Sequence, residues 1–269
     1  MNNYMNRFFT SLIIFPIFFF IFWNKWSYFF LFFLISVLVL LEFYCLISLD
    51  GVFPFKIFSI FSFMFINLLF FLGEGGILSF KYFYFIFLII FFLYFINLYK
   101  KTDLNHFTNI AYTFLGIMYI GLPFFIINLI IFFNGFYNYR FFIFFLLLIW
   151  TSDIGAYFFG IFLGRNKLFK RLSPNKTWEG SFGGFFLVFF INFLLFFYFK
   201  NLVFLECLIL SLLIIITGTY GDLIESLLKR IVNIKDSGNL IPGHGGFLDR
   251  FDSFLIAIIF IVFVIKNFF

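Results

Sequence analysis

Gly221 to Ser253, 33 residues reading GDLIESLLKRIVNIKDSGNLIPGHGGFLDRFDS, hold five of the chain's twelve acidic side chains and four of its eighteen basic ones. Read as a helix, Asp222, Glu225, Ser226, Lys229 and Arg230 fall at i, i+3, i+4, i+7 and i+8 and share one face. Leu223, Ile224, Leu227, Leu228 and Ile231 take the other face. The residues before them, 202–217, form an apolar run, so the polar stripe reads as the cytoplasmic end of a membrane helix turned toward a polar site. Lys235-Asp236-Ser237-Gly238 and Pro242-Gly243-His244-Gly245-Gly246 follow, with too little side chain for helix or core. Such a loop brings backbone N–H groups close to an anion. A helix resumes near Asp249-Arg250-Phe251-Asp252-Ser253, with Asp249, Asp252 and Ser253 on one face. Two helix ends are thus expected to present carboxylates toward one another across a glycine-rich loop.

A second informative stretch runs from Trp150 to Gly184. On a helix Asp153, Ala156, Tyr157, Gly160 and Gly164 share a face, a small-residue seam running past an acid. The small residues are read as close helix packing. Asp153 is different, because a carboxylate in a membrane needs a cation or a basic partner. The next segment, 165–180, carries five basic residues and the run Ser173-Pro174-Asn175-Lys176-Thr177-Trp178-Glu179-Gly180. Lys176 and the hydroxyls of Ser173 and Thr177 suit contact with phosphate oxygens. A basic segment also meets anionic lipid head groups.

The run from Ser226 through Leu228-Lys229-Arg230, Lys235-Asp236, Gly238, Ile241-Pro242, His244-Gly245-Gly246-Phe247 and Asp249-Arg250-Phe251-Asp252 resembles the signature of the phosphatidate cytidylyltransferases, the CDP-diacylglycerol synthases. The Asp153-x-Gly-Ala-Tyr and Ser173-Pro-x-Lys-Thr-x-Glu-Gly patterns are similar to further motifs of that family. The resemblance implies the reaction of CTP with phosphatidic acid to give CDP-diacylglycerol and pyrophosphate. It also implies an integral protein of a bacterial-type inner (plasma) membrane with its catalytic loops in the cytoplasm. A phosphate nucleophile with a second pKa of roughly 6 is largely ionised near neutrality, so no strong base is needed. The demand is electrostatic, and Mg²⁺ held by one or two carboxylates meets it. Asp222 and Asp249 are the first expected ligands, while Asp153, Glu225 and Asp252 are candidates for a supporting layer or for a second, monovalent or divalent cation. Lys229, Arg230, Lys235 and Arg250 are expected to neutralise the triphosphate and leaving pyrophosphate. Ser226, Asp236 and the amides of Gly245 and Gly246 complete the expected substrate contacts. His244 is left with two roles, donor to pyrophosphate or pin of the loop.

The elements that must position these residues are membrane helices. Of 269 residues 64% are hydrophobic and 11% charged, with a mean hydropathy of +1.13, against about a quarter charged in soluble domains. A span needs roughly 20 apolar residues. Nine candidate spans emerge: 8–23, 27–49, 52–72, 78–98, 107–133, 139–163, 181–199, 203–224 and 251–268. The expected fold is all-α, a polytopic bundle of about nine transmembrane helices. Residues 1–135 form its N-terminal membrane part and 136–269 its catalytic part, with cytoplasmic loops at 164–180 and 229–250. Placing the N-terminus in the cytoplasm puts 13 of the 18 Lys and Arg residues on that side, as the positive-inside bias requires. The net charge of +6 therefore reflects topology, and no aromatic-interleaved basic domain suggests nucleic acid.

The 59 phenylalanines demand only apolarity. Cys45 and Cys207 lie in apolar spans and read as core-like, without a disulfide framework. Glu42, near the end of its span, is read as structural, and His106 as a loop residue. No Walker A motif and no Cys/His cluster occurs, so neither a P-loop nor zinc is expected. Two other functions compete. A CTP-dependent polyprenol or phytol kinase would transfer the γ-phosphate and release CDP. An ion-coupled transporter would use Asp153 and Asp222 as its path, but the acids gather at one face and no inverted repeat is evident. The small-residue seams permit a homodimer.

Overall fold

In the computed structural model, residues 24–72, 88, 91, 92, 95, 106–133, 136–199, 204–238, 240 and 245–268 are described. Among them are seven principal helices: α1 (Lys25–Ser48), α2 (Lys56–Leu72), α3 (Phe107–Ile131), α4 (Arg140–Leu163), α5 (Trp178–Phe199), α6 (Phe204–Ile231) and α7 (Leu248–Phe268). They follow seven of the nine expected spans. The stretch 8–23 and most of 78–98 lie outside the described residues. Four of the helices, α1, α3, α4 and α6, are long and apolar enough to cross a membrane. Large apolar side chains such as Phe30, Phe61, Phe162 and Phe182 are exposed, as lipid-facing positions require. This is a membrane protein with several apolar helices.

The chain packs as two compact units. The first comprises the described residues of Met1–Tyr139 together with Val232–Phe251. Here α1 starts where Asn24 Oδ1 accepts the amides of Trp26 and Ser27 at 3.0 and 2.8 Å, while Ser27 Oγ accepts the Asn24 amide. That reciprocal cap satisfies N–H groups no helical carbonyl can reach. One face of α1, including Tyr28, Phe32, Val39, Phe43 and Ile47, is buried. Buried polar groups stitch the helices: Tyr44 Oη donates to the Thr113 carbonyl at 2.7 Å, and Tyr28 Oη to Asn128 Oδ1 at 2.6 Å. In apolar surroundings such bonds fix which helices meet. Within α3 the residues Ile117–Gly121 form a π-helical turn. Pro123 explains it: having no N–H, it cannot bond the carbonyl four residues back, and the ladder rearranges around the gap. Cys45, expected in the core, is exposed. It departs from the buried stripe because a span needs only apolarity, whichever way a residue faces.

The second unit comprises Arg140–Ile231 and Asp252–Phe269. Its α4 and α5 touch backbone to backbone along the small-residue seam. A Cβ on Gly155 would lie 2.8 Å from Gly184 Cα, closer than atoms can approach. Between α4 and α5 the sequence reading expects a loop. The structure instead has an antiparallel hairpin of Lys167–Phe169 and Ser173–Thr177, pairing Lys167 with Thr177 and Phe169 with Ser173. Its base is closed by Glu179, whose carboxylate accepts the amides of Arg165 and Asn166 at 3.1 Å and Asn166 Nδ2 at 2.8 Å. The backbone thus gains partners without the apolar alternation that marks most strands. A second small ribbon, in the first unit, pairs Phe132–Phe133 with Phe136–Tyr137.

Candidate active site

In the second unit α6 carries the polar stripe on the turns beyond its apolar length. Gly221 and Ser253 bring α6 and α7 into contact, since a Cβ at Gly221 would fall 2.6 Å from the Asp252 carbonyl oxygen. That close approach sets the carboxylates beside it against one another. One oxygen each from Asp222, Glu225 and Asp252 lie within 4.8 Å of one another. Three carboxylates so close repel unless cations share their space. Two do. Lys229 Nζ is 2.6 Å from Glu225 Oε2, one helical turn away, and the Lys176 ammonium contacts the Asp222 carboxylate. The three carboxylates thus outnumber the two ammonium groups by one formal charge.

Burial makes these pairs matter. The Glu225 side chain is wholly buried, and a buried carboxylate persists as an ion only with a close counter-charge. Asp222 and Lys176 are partly exposed, so their pair can exchange partners. Lys176 Nζ also reaches the Thr219 carbonyl at 3.5 Å, and Ser226 Oγ donates to Asp222 Oδ1 at 3.2 Å. Asp222 and Lys176 also line a cavity of about 280 Å³, together with Asp153, Tyr157, Thr177 and Ser181 among others. The cavity joins acid, ammonium and hydroxyl groups in one wall, a mixture suited to a phosphate ester carrying a cation.

The first unit holds the glycine loop. After α6 the backbone turns at Asn233, with φ of 58°, and Lys235 and Asp236 are exposed beyond it. The Asp249 carboxylate, in the first turn of α7, accepts the Ser237 amide at 3.0 Å and the Gly246 amide at 2.9 Å. It is the clasp of the loop. Gly245 has φ of 82°, where a side chain is strained, and a Cβ on it would lie 2.8 Å from Asp249 Oδ2. From α1, Glu42 reaches the same loop: its Oε2 accepts the Leu248 amide at 2.8 Å and Ser237 Oγ at 3.3 Å.

The structure therefore gathers Asp222, Glu225, Asp252, Lys229, Lys176, Thr177, Ser226 and Asp153 in the second unit. Ser173 lies on the same strand as Lys176 and Thr177, and Arg230 is exposed on the last turn of α6. Asp249, Gly245, Gly246, Lys235, Asp236 and the exposed Arg250 belong to the first unit. His244 lies outside the described residues. Sequence reasoning reads Glu42 as structural, in keeping with these bonds, but does not find its partners. The signal that marks it is a carboxylate well inside an apolar run, a position that demands a partner.

A sequence profile described as "Cytidylyltransferase family" matches residues 5–268. The chain is 44% identical over 126 residues to a phosphatidate cytidylyltransferase of Bacillus subtilis, covering 45% of each chain. It is 35% identical over 160 residues to a protein of that name from Staphylococcus saprophyticus, covering 56% of this chain and 57% of the relative. With one from Staphylococcus haemolyticus the identity is 45% over 113 residues, 42% of this chain and 44% of the relative. The chain spans about half the length of the curated relatives it matches.

Proposed function

We propose, from the premise that the chain belongs to the cytidylyltransferase family, that it transfers the cytidylyl group of CTP to phosphatidic acid in a bacterial plasma membrane, with its site on the cytoplasmic side. The observation that carries this reading is the convergence of Asp222, Glu225 and Asp252 beside Lys176 and Lys229, with Asp222 and Lys176 also lining a cavity. The name that these relatives share supports the choice of lipid substrate.

An oxygen of the lipid phosphate forms a new bond to the α-phosphorus of CTP, and the bond from that phosphorus to the β-phosphate oxygen breaks. Pyrophosphate leaves with the electron pair. The nucleophile needs no base, because its second pKa is roughly 6. What this chain supplies is placement and charge. Lys176 exchanges its contact with Asp222 for a substrate phosphate oxygen, while Lys229 stays paired with Glu225 and holds it in place. Ser173, Thr177 and Ser226 offer hydroxyls, and Arg230, Lys235 and Arg250 add positive charge for the triphosphate. The amides of Gly245 and Gly246 border the loop shaped by Asp249.

The donor set fits Mg²⁺: three carboxylate oxygens in reach of one another, with net charge left to attract a cation. Asp222, Glu225 and Asp252 would hold it, with Asp153 available to a second cation. Bound Mg²⁺ would draw negative charge from the phosphate oxygens and orient them for in-line attack.

CTP labelled at either the α- or the γ-phosphate, supplied with phosphatidic acid and Mg²⁺, tests the reading. Cytidylyl transfer puts α-label into lipid and releases γ-label as pyrophosphate. Entry of γ-label into a lipid would instead establish a kinase, and binding without transfer of either label would reject an active transferase.

A further inference from the structure

Glu42 is placed oddly for a residue of an apolar helix. It is only 5% exposed, and its partners lie 195 and 206 residues further along the chain. Its Oε2 accepts the amide of Leu248, the first residue of α7, where no earlier helical carbonyl is available. A negative group there also suits the positive end of the helix dipole. The same oxygen accepts Ser237 Oγ on the other side of the loop. Oε1 faces Gly238, where a Cβ would come within 2.9 Å, and a Cβ at Gly246 would lie 2.5 Å from Oε2. The loop backbone is moulded around this one carboxylate.

We infer that Glu42 is a positioning residue of the glycine loop: from α1 it ties Ser237 to the start of α7 and so fixes the stretch that carries Gly245, Gly246 and Asp249. Its contribution is the acceptor oxygen at the Oε2 position. Glutamine keeps that oxygen, with its amide nitrogen replacing Oε1. Alanine removes it, and aspartate withdraws it by one methylene. Asp249 spans the same loop from within, holding Ser237 and Gly246. Glu42 adds the tie from outside, so the two carboxylates share Ser237 between them.

The role in turnover rests on the proposed cytidylyl transfer, whereas the anchoring of the loop does not. Two measurements on the full chain in detergent separate them: steady-state kinetics with CTP, phosphatidic acid and Mg²⁺, and hydrogen exchange of peptides covering 235–250. Glu42→Gln should stay within about threefold of the unaltered chain in kcat, since one acceptor bond of ordinary strength is retained. Glu42→Ala and Glu42→Asp should each lose about tenfold or more in kcat with the KM for phosphatidate unchanged. Faster exchange should be confined to 235–250, with α3 unchanged. The inference is overturned if Glu42→Ala or Glu42→Asp keeps full kcat, or if Glu42→Gln falls as far as Glu42→Ala. Should Glu42→Ala fail to fold, the Gln and Asp pair decides. If the unaltered chain makes no CDP-diacylglycerol, the functional reading fails, and unchanged exchange at 235–250 in the variants would still overturn the anchoring.

Discussion

Two groups of carboxylates in this protein are used in opposite ways. In the second unit Asp222, Glu225 and Asp252 point at one another and are balanced by Lys176 and Lys229. In the first unit Glu42 and Asp249 accept hydrogen bonds from Ser237, Gly246 and Leu248 around a loop. The first arrangement concentrates like charge, which raises the energy of the folded chain and attracts cations. The second satisfies backbone N–H groups and fixes a shape. Residue type alone does not separate these roles; the partners do.

The comparison can be broken most severely at the cluster. Asp252→Asn should lower CDP-diacylglycerol formation by about a thousandfold, the scale for losing a group that stabilises developing charge. The unfolding temperature should hold or rise, because a like-charge repulsion is removed. Asp249→Ala also removes turnover, but by taking away the acceptor of the Ser237 and Gly246 amides, so it should accelerate exchange at 235–250 where Asp252→Asn leaves it unchanged. Equal exchange in both variants would erase the distinction between the two groups.

Lys229→Ala leaves the Glu225 carboxylate buried without its counter-charge. It should cost about 3 kcal/mol of stability, readable as a lowered unfolding temperature. Restoring stability by adding Glu225→Gln would confirm the pair as the cause. Lys176→Ala should act on binding: about a tenfold rise in the KM for CTP or phosphatidate, the scale of one charge-assisted hydrogen bond. Unchanged kinetics for both substrates would reduce the hairpin to a lipid-surface contact. The smallest effect is expected at Ser226→Ala, a loss of about fivefold or less in kcat/KM from one hydrogen bond to Asp222.

Much of this architecture is legible in the sequence because membrane helices announce themselves by length and apolarity. The stretches 107–133 and 139–163 correspond to α3 and α4 with boundary differences of two residues or fewer. The polar stripe of α6 is equally plain, since i, i+3 and i+4 spacing needs no tertiary information. The hairpin at 167–177 is not, because Ser173-Pro174-Asn175-Lys176-Thr177 lacks strand alternation and Glu179 supplies the closure from outside it. Nor does spacing reveal Asp252 as the third member of the cluster. Asp249 and Asp252 share a helix face, and only the contact at Gly221 sets Asp252 beside Asp222 and Glu225 within the second unit. Glu42 escapes for a different reason: its partners are remote in sequence, so only the folded chain shows why an acid sits in α1.

Binding of Mn²⁺ as a paramagnetic stand-in for Mg²⁺, followed by electron paramagnetic resonance in the presence of CTP, tests the central claim most directly. The account predicts that the purified chain binds the ion, that Asp222→Asn and Asp252→Asn each weaken binding about tenfold or more, and that Glu42→Gln leaves it unchanged. Undiminished Mn²⁺ affinity in both Asp222→Asn and Asp252→Asn would contradict the assignment of the cluster as the metal-holding centre.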